Sequence, residues 1–213
     1  MLTRSQTKDI AFFDRAVQII RGDIGYLREI DGQPLDAIAF PTHSHLTNNN
    51  IGAAAAVHRR AGAQLNAYVK SPLVGGGRPA GEVVVTPAFC AGVSKLIHCV
   101  GPRSTQPDCL NLLERTYESM VSAIETENLK RVAVASISTG NMGVPPQEGA
   151  KVAMRVVQNF IRKNKLKKML KHPQCQYWDG AIAFVCYDQA VFDAFEAEKR
   201  NVLKAFNAQL SLP

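Results

Sequence analysis

The chain has 213 residues, 46% hydrophobic and 20% charged, with a formal net charge of +7. That is apolar material enough for one soluble globular domain over residues 1–213, and no apolar run is long enough to span a bilayer. The first residues lack the apolar core of a secretory signal. Five scattered cysteines (Cys90, Cys99, Cys109, Cys175, Cys186) without a Cys-x-x-Cys pair argue against a zinc site or a disulfide framework, so an intracellular, cytoplasmic setting is expected.

In chain order, Asp9 to Asp14 suits a short helix and Ala16 to Arg21 a strand. Leu35 to Phe40 is a second strand, ended by Pro41. Ile51 to Arg60 is alanine-rich and helical, with a stop near Gly62. Pro72 to Gly81 is a loop carrying Gly75, Gly76 and Gly77, and strands follow at Glu82 to Thr86 and Ser94 to Val100. In Leu110 to Glu127, Leu113, Tyr117, Met120, Val121 and Ile124 recur at helical spacing. Arg131 to Ser136 is a β-branched apolar strand, and a helical pattern restarts at about Gln147 and runs to Asn164. Ala181 to Tyr187 is a last buried strand, followed by a helix from Gln189 to Ala205. Strands alternating with helices predict a three-layer α/β domain, whose ligands sit at the carboxyl ends of the strands.

Two features bear on function. Between the strand at 131–136 and the next helix lie Ser138, Thr139, Gly140, Asn141, Met142 and Gly143, the layout that turns backbone amides into an anion-binding concavity. An ordinary βα turn has the same composition. From Gly149 to Trp178 there are eight Lys or Arg residues (Lys151, Arg155, Arg162, Lys163, Lys165, Lys167, Lys168, Lys171) and no acid. This run reads either as a phosphate-seeking patch for nucleic acid or as a solvated helix end. Tyr177 and Trp178, at its edge, supply its aromatic interleaving.

The order of motifs resembles the macrodomain family, which binds ADP-ribose. The match begins at Ile20-Arg-Gly-Asp-Ile24 and runs through Asp36-Ala-Ile38, Val57-His58-Arg59, Gly81-Glu82, Thr86-Pro87, Ile97-His98 and Val100-Gly101-Pro102. It continues into Ile137-Ser-Thr-Gly-Asn-Met-Gly-Val-Pro145 and Phe184-Val-Cys-Tyr-Asp188. The resemblance covers about residues 20–196, with a basic insertion at about 162–178. It implies an α/β/α sandwich around a mixed, mostly parallel sheet; no cofactor, metal or membrane is expected. Asp23 matches the acid that accepts a hydrogen bond from the adenine amine; an N-cap on the following turn is the plainer role. Ile24 matches the neighbour whose backbone faces adenine, and Ser138 to Gly143 match the loop that holds the diphosphate and distal ribose. Tyr187 is either an adenine platform or a core aromatic.

The departures lie between Phe40 and Val57. Where hydrolytic relatives carry Asn-Ala-Ala-Asn, a glycine run and an acid, this chain has His43 near the second asparagine, Ala54 near the acid, and Asn48, Asn49 and Asn50 for the glycines. Asparagine tolerates left-handed backbone, so Asn49 and Asn50 can still turn toward phosphate. His43 is a candidate general base in place of the lost asparagine. Paired with His45 on an extended segment it could share a metal, but no third ligand is evident. His58 and His98 fall in helix and strand patterns and suit structural roles. The Gly75–Gly77 run lacks the paired glutamates of poly-ADP-ribose glycohydrolases and reads as a loop. Three functions follow: binding ADP-ribose or ADP-ribosylated protein, a mono-ADP-ribosyl hydrolase with a non-standard loop, or a ligand-free fold using its basic surface for nucleic acid or protein.

Overall fold

The computed structural model describes residues 4–48, 50–72, 74–170 and 177–208. A six-stranded sheet forms its centre, built from β1 (Val17–Arg21), β4 (Ala37–Pro41), β5 (Val83–Pro87), β6 (Lys95–Cys99), β7 (Arg131–Ala135) and β8 (Ala181–Cys186). The strand order is β1-β8-β7-β4-β6-β5. All neighbours run parallel except β5, which pairs antiparallel with β6 at one edge. A small hairpin, β2 (Glu29–Ile30) with β3 (Gln33–Pro34), stands apart from the sheet.

The central strands are apolar on both faces, as a parallel sheet covered on two sides requires. Alternate residues serve different layers. Ala37, Ala39, Ile97, Val132, Val134, Ile182 and Phe184 pack in one core with helices α1 (Arg4–Ala16), α4 (Cys109–Thr126), α5 (Pro146–Met169) and α6 (Gln189–Ala208). Ile38, Phe40, Leu96, Ala133, Ala135, Ala183 and Val185 pack in a second core with α2 (Gly52–Ala61) and α3 (Ala63–Val69). Helices therefore cover both faces, giving the expected three-layer α/β/α arrangement. Asp36 fastens the lower edge of the sheet: its carboxylate accepts the amides of Lys130 and Arg131, each at 2.8 Å, and its carbonyl accepts Ser94 N–H.

The structure lengthens two expected helices and adds elements the periodicity did not show. α1 begins at Arg4 rather than Asp9, and α5 continues to Met169 beyond the expected Asn164. Lysines in its last turn, Lys167 and Lys168, favour the helix and complement its carboxyl end. Gly62, at φ +83, ends α2, and α3 then starts at once. Phe89–Ala91 forms a short 3-10 turn before β6. Part of the basic insertion, residues 171–176 with Lys171, lies outside the described residues. No helix among the described residues is long and apolar enough to cross a membrane.

Candidate functional site

The parallel strands β1, β8, β7 and β4 all end on one side of the sheet, and the loops that follow them enclose a cavity of about 520 Å³. After β1 the pairing with β8 continues for one more residue, Gly22 N–H donating to Cys186 O at 3.0 Å, and the chain then turns over α2. Asp23 Oδ1 accepts Gly25 N–H at 2.8 Å and Asp23 O accepts Tyr26 N–H at 3.0 Å. The plainer role expected for Asp23, fixing the turn, is thus real, but it occupies one carboxylate oxygen and leaves the second for a ligand. The space at Gly25 is tight: a side-chain carbon on it would stand 3.1 Å from Asp23 Oδ1 and 3.2 Å from Ala56 Cβ, so the turn would have to give by a few tenths of an ångström. Asp23 and Ile24 both line the cavity. The alanines 53–56 of α2 form its smooth wall, where a larger side chain would fill it.

The loop after β7 forms the opposite end. Ile137 N–H donates to the buried Tyr117 hydroxyl at 3.0 Å, and Ser138 then takes φ +63, turning the chain back. Val144 N–H donates to Ser138 O, Gly143 N–H to Gly140 O, and Ser104 N–H to Met142 O. Among the described residues no backbone carbonyl takes the amides of Thr139, Gly140 or Asn141, so they remain available to an anion. Ser138, Thr139, Gly140, Asn141 and Met142 line the cavity, whereas Gly143, at φ +78, closes the turn behind it. The hydroxyls of Thr42, Ser138 and Thr139 are buried (4%, 2% and 8% residue exposure), without a partner, and belong to lining residues. Buried hydroxyls are costly unless satisfied, so three together mark a place where a polar ligand completes the structure.

Between these ends lies the altered segment. Thr42 N–H donates to Cys99 O, extending β4, and Leu46 N–H donates to His43 O to close a turn. His43 is exposed and lines the cavity, its Nδ1 accepting His45 N–H at 3.3 Å. The two imidazoles stack with centroids 5.7 Å apart. Among the described residues no group of three His, Cys, Asp or Glu is placed to hold a metal ion. Asn50 takes φ +60, the left-handed turn expected of it, with its amide on Asn48 Oδ1 at 2.8 Å. Asn49 lies outside the described residues. Ala54, at the position the resemblance gives to the acid, is buried against the cavity. The lining carboxylates are Asp23 and Asp188, both at the β1–β8 end.

Tyr187 is 75% exposed on the cavity rim and is not a core aromatic. His58 and His98 are buried and structural, His58 Nδ1 on Asn66 Oδ1 at 2.8 Å and His98 Nε2 on the Thr86 hydroxyl at 3.0 Å. Burial lowers the His58 pKa and takes that of His98 down to about 3, with the neighbouring His58 adding a smaller effect on His98. The glycine loop packs beside the altered segment, Arg78 N–H donating to Ser44 O. In the basic run Lys151 pairs with Glu148, Arg155 with both oxygens of Glu114, and Lys167 with Glu125. Trp178 is buried, its indole N–H on Leu129 O at 2.7 Å, so it offers no surface for base stacking.

Residues 27–153 match the family model for the Macro domain. An O-acetyl-ADP-ribose deacetylase of Salmonella gallinarum is 32% identical over 176 residues, spanning 81% of this chain and 88% of that protein. The Oceanobacillus iheyensis macrodomain with ADP superposes with a TM-score of 0.74 at 22% identity, covering 89% of this chain and 92% of that one. The Trypanosoma brucei macrodomain in complex with ADP-ribose does so at 0.68 and 22%, covering 90% and 71%. With sequence match, sheet order and cavity in agreement, the chain belongs to the macrodomain family.

Proposed function

We propose that the protein binds ADP-ribose, free or attached to another protein, in the cavity between Asp23 and the 138–142 loop, in an intracellular setting. The observation that carries this reading is the polarity of the cavity. A carboxylate oxygen without a partner stands at one end, suited to an amine donor, and free amides with unpartnered buried hydroxyls stand at the other, suited to phosphate and ribose. The solved relatives with ADP and ADP-ribose support the same ligand class.

A second reading is favoured by the relatives named O-acetyl-ADP-ribose deacetylases: hydrolysis of a group carried on the distal ribose. Cleaving an ester there needs a base to take a proton from water as its oxygen attacks the acyl carbon. The lining carboxylates stand at the Asp23 and Asp188 end, so the candidate for that base is the lining imidazole of His43. Binding requires only the shaped cavity; hydrolysis also needs the placed water. The basic surface as a nucleic-acid site has less support, because three of its cations are ion-paired and Trp178 is buried.

Calorimetric titration with ADP-ribose tests the first reading. Wild type should bind saturably, and Asp23→Asn, which keeps an oxygen for Gly25 N–H but replaces the free one with a donor, should bind about tenfold more weakly or worse. No binding by wild type would overturn the reading. Release of acetate from O-acetyl-ADP-ribose, lost in His43→Ala with binding retained, would establish the second; unchanged turnover in that variant would remove His43 from it.

A further inference from the structure

We propose that Arg60 is a positioning residue for adenine recognition, holding the peptide that in turn aims the Asp23 carboxylate. The proposal rests on the ADP-ribose reading above. Arg60 follows the lining residue Arg59 on α2 but does not itself line the cavity. Its half-buried guanidinium has no acid to pair with among the described residues and is held by carbonyls from two separate segments. Nε donates to Ala91 O at 2.6 Å, and Nη1 donates to Leu27 O at 2.6 Å and more weakly to Ile24 O at 3.4 Å. Burial, with a smaller contribution from the Arg28 cation, takes its pKa down to about 10, so it remains charged at neutral pH.

The geometry connects this cation to the ligand carboxylate through one peptide group. In a trans peptide the C=O and the following N–H point to opposite sides of a rigid plane. The Ile24–Gly25 peptide is held at both ends: Ile24 O faces Arg60 Nη1, and Gly25 N–H donates to Asp23 Oδ1. Arg28 Nη1 fixes the next carbonyl, Gly25 O, at 2.9 Å. With the peptide locked, Asp23 Oδ1 is committed to the turn and its other oxygen keeps one direction. If the peptide rotates, the carboxylate loses its anchor. The Ala91 bond extends the brace to the 3-10 turn before β6, so the 22–28 loop is referenced to the body of the fold rather than to α2 alone. A planar fork that spans these acceptors is a task for arginine; a lysine ammonium reaches fewer of them from one position.

The test is base discrimination. ADP-ribose offers the Asp23 carboxylate an amine donor, whereas the analogue with hypoxanthine in place of adenine offers an acceptor. Titrations of both ligands are compared for wild type, Arg60→Met, which keeps the stem, and Arg60→Lys, with thermal melting as the folding control. Wild type should prefer ADP-ribose. Arg60→Met should lose on the order of tenfold in ADP-ribose affinity, with the preference shrinking toward none, and Arg60→Lys should fall between. Equal weakening toward both ligands would mark Arg60 as merely structural and overturn the proposal, as would an unchanged preference in a folded Arg60→Met. Should Arg60→Met fail to fold, the preference in Arg60→Lys decides in the same terms. Wild type that binds neither ligand would fail the ADP-ribose reading and this proposal together, a result distinct from wild-type binding that Arg60 does not influence.

Discussion

Tyr117→Phe removes one oxygen from a side chain that is fully buried between α4 and the sheet. That oxygen accepts Ile137 N–H at 3.0 Å, at the point where β7 gives way to the ligand loop. The ring stays, and with it the edge contact to Phe184 at 6.2 Å, so almost all the packing survives. What remains is a buried amide with no acceptor, which costs about 1–3 kcal/mol. For a chain of this size a 2 kcal/mol loss lowers Tm by roughly 4–8 °C. Burial also pushes the Tyr117 hydroxyl well above its ordinary pKa, so the bond persists at every workable pH and the deficit should be constant from about pH 6 to 9. The next residue, Ser138, holds a left-handed backbone that costs of order 1 kcal/mol or more and persists only while its surroundings enforce it. Loosening Ile137 therefore weakens ADP-ribose binding as well, by about three- to tenfold. Calorimetric melting and ligand titration on the same preparation check both effects. A variant with wild-type Tm and wild-type affinity would refute the idea that this hydroxyl anchors the loop.

Two further substitutions probe the neighbourhood. Gly149→Ala, in the first turn of α5, would place a methyl 2.4 Å from Thr139 Cγ2 and push a lining residue inward. The helix gains about 1 kcal/mol from the exchange, offsetting part of the strain, so melting should change little while ADP-ribose affinity falls clearly; the reverse pattern would place the clash elsewhere. His98 is neutral in the fold at any mild pH, because burial sets its pKa to about 3. The unfolded chain, with an ordinary pKa near 6.5, takes up the proton first as pH falls, so stability is unaffected above about 7 and declines below it, by roughly 2 kcal/mol at pH 5. His58, lowered in the same direction, adds to this decline. His98→Gln should blunt the acid loss in melts from pH 7.5 to 5; an equally steep decline would assign it to other groups.

The fold was legible because burial wrote itself into the strands. β7 and β8 are apolar at every position after the first, and α4 repeats Leu113, Tyr117, Met120, Val121 and Ile124 at helical spacing, so period and composition agreed. The hairpin carried a signal too: Asp31 and Gly32 both take positive φ, as an Asp-Gly turn prefers, but two-residue strands give no alternation to notice. α3 was hidden by its brevity, seven residues beginning directly after the glycine that stops α2. In the site, the glycine-bearing loop and Asp23 could be placed from motif order. Arg60 could not, since its bonds reach residues 33 and 36 positions earlier and 31 later, and nothing local in the sequence reports them. The pairing of Arg155 and Lys167 in the basic run was equally invisible, because their acids Glu114 and Glu125 come from α4, whereas the Lys151–Glu148 pair is local.

In the proposed function, the 40–54 segment bears on two separate requirements, holding a ligand and activating a water. Its backbone still does what a phosphate-facing turn needs: Thr42 prolongs β4, Asn50 supplies a left-handed residue, and α2 begins at Gly52 with no side chain capping its first amides. Gly52 stands beside Asn141 across the cavity, so the two loops still approach each other over the place a diphosphate would occupy. The side chains have changed in the opposite sense. Ala54 presents a methyl, and the carboxylates of the cavity stand together at the Asp23 and Asp188 end. A ligand held by amides, hydroxyls and one carboxylate does not depend on Ala54, because those groups come from the 22–28 and 138–142 loops and Thr42. For the proposed hydrolysis, a neutral wall at Ala54 can position a water but cannot take its proton, which leaves the lining imidazole of His43 as the candidate base. On the proposed reading, affinity and turnover therefore rest on different residues, Asp23 with its braced loop for the first and His43 for any of the second.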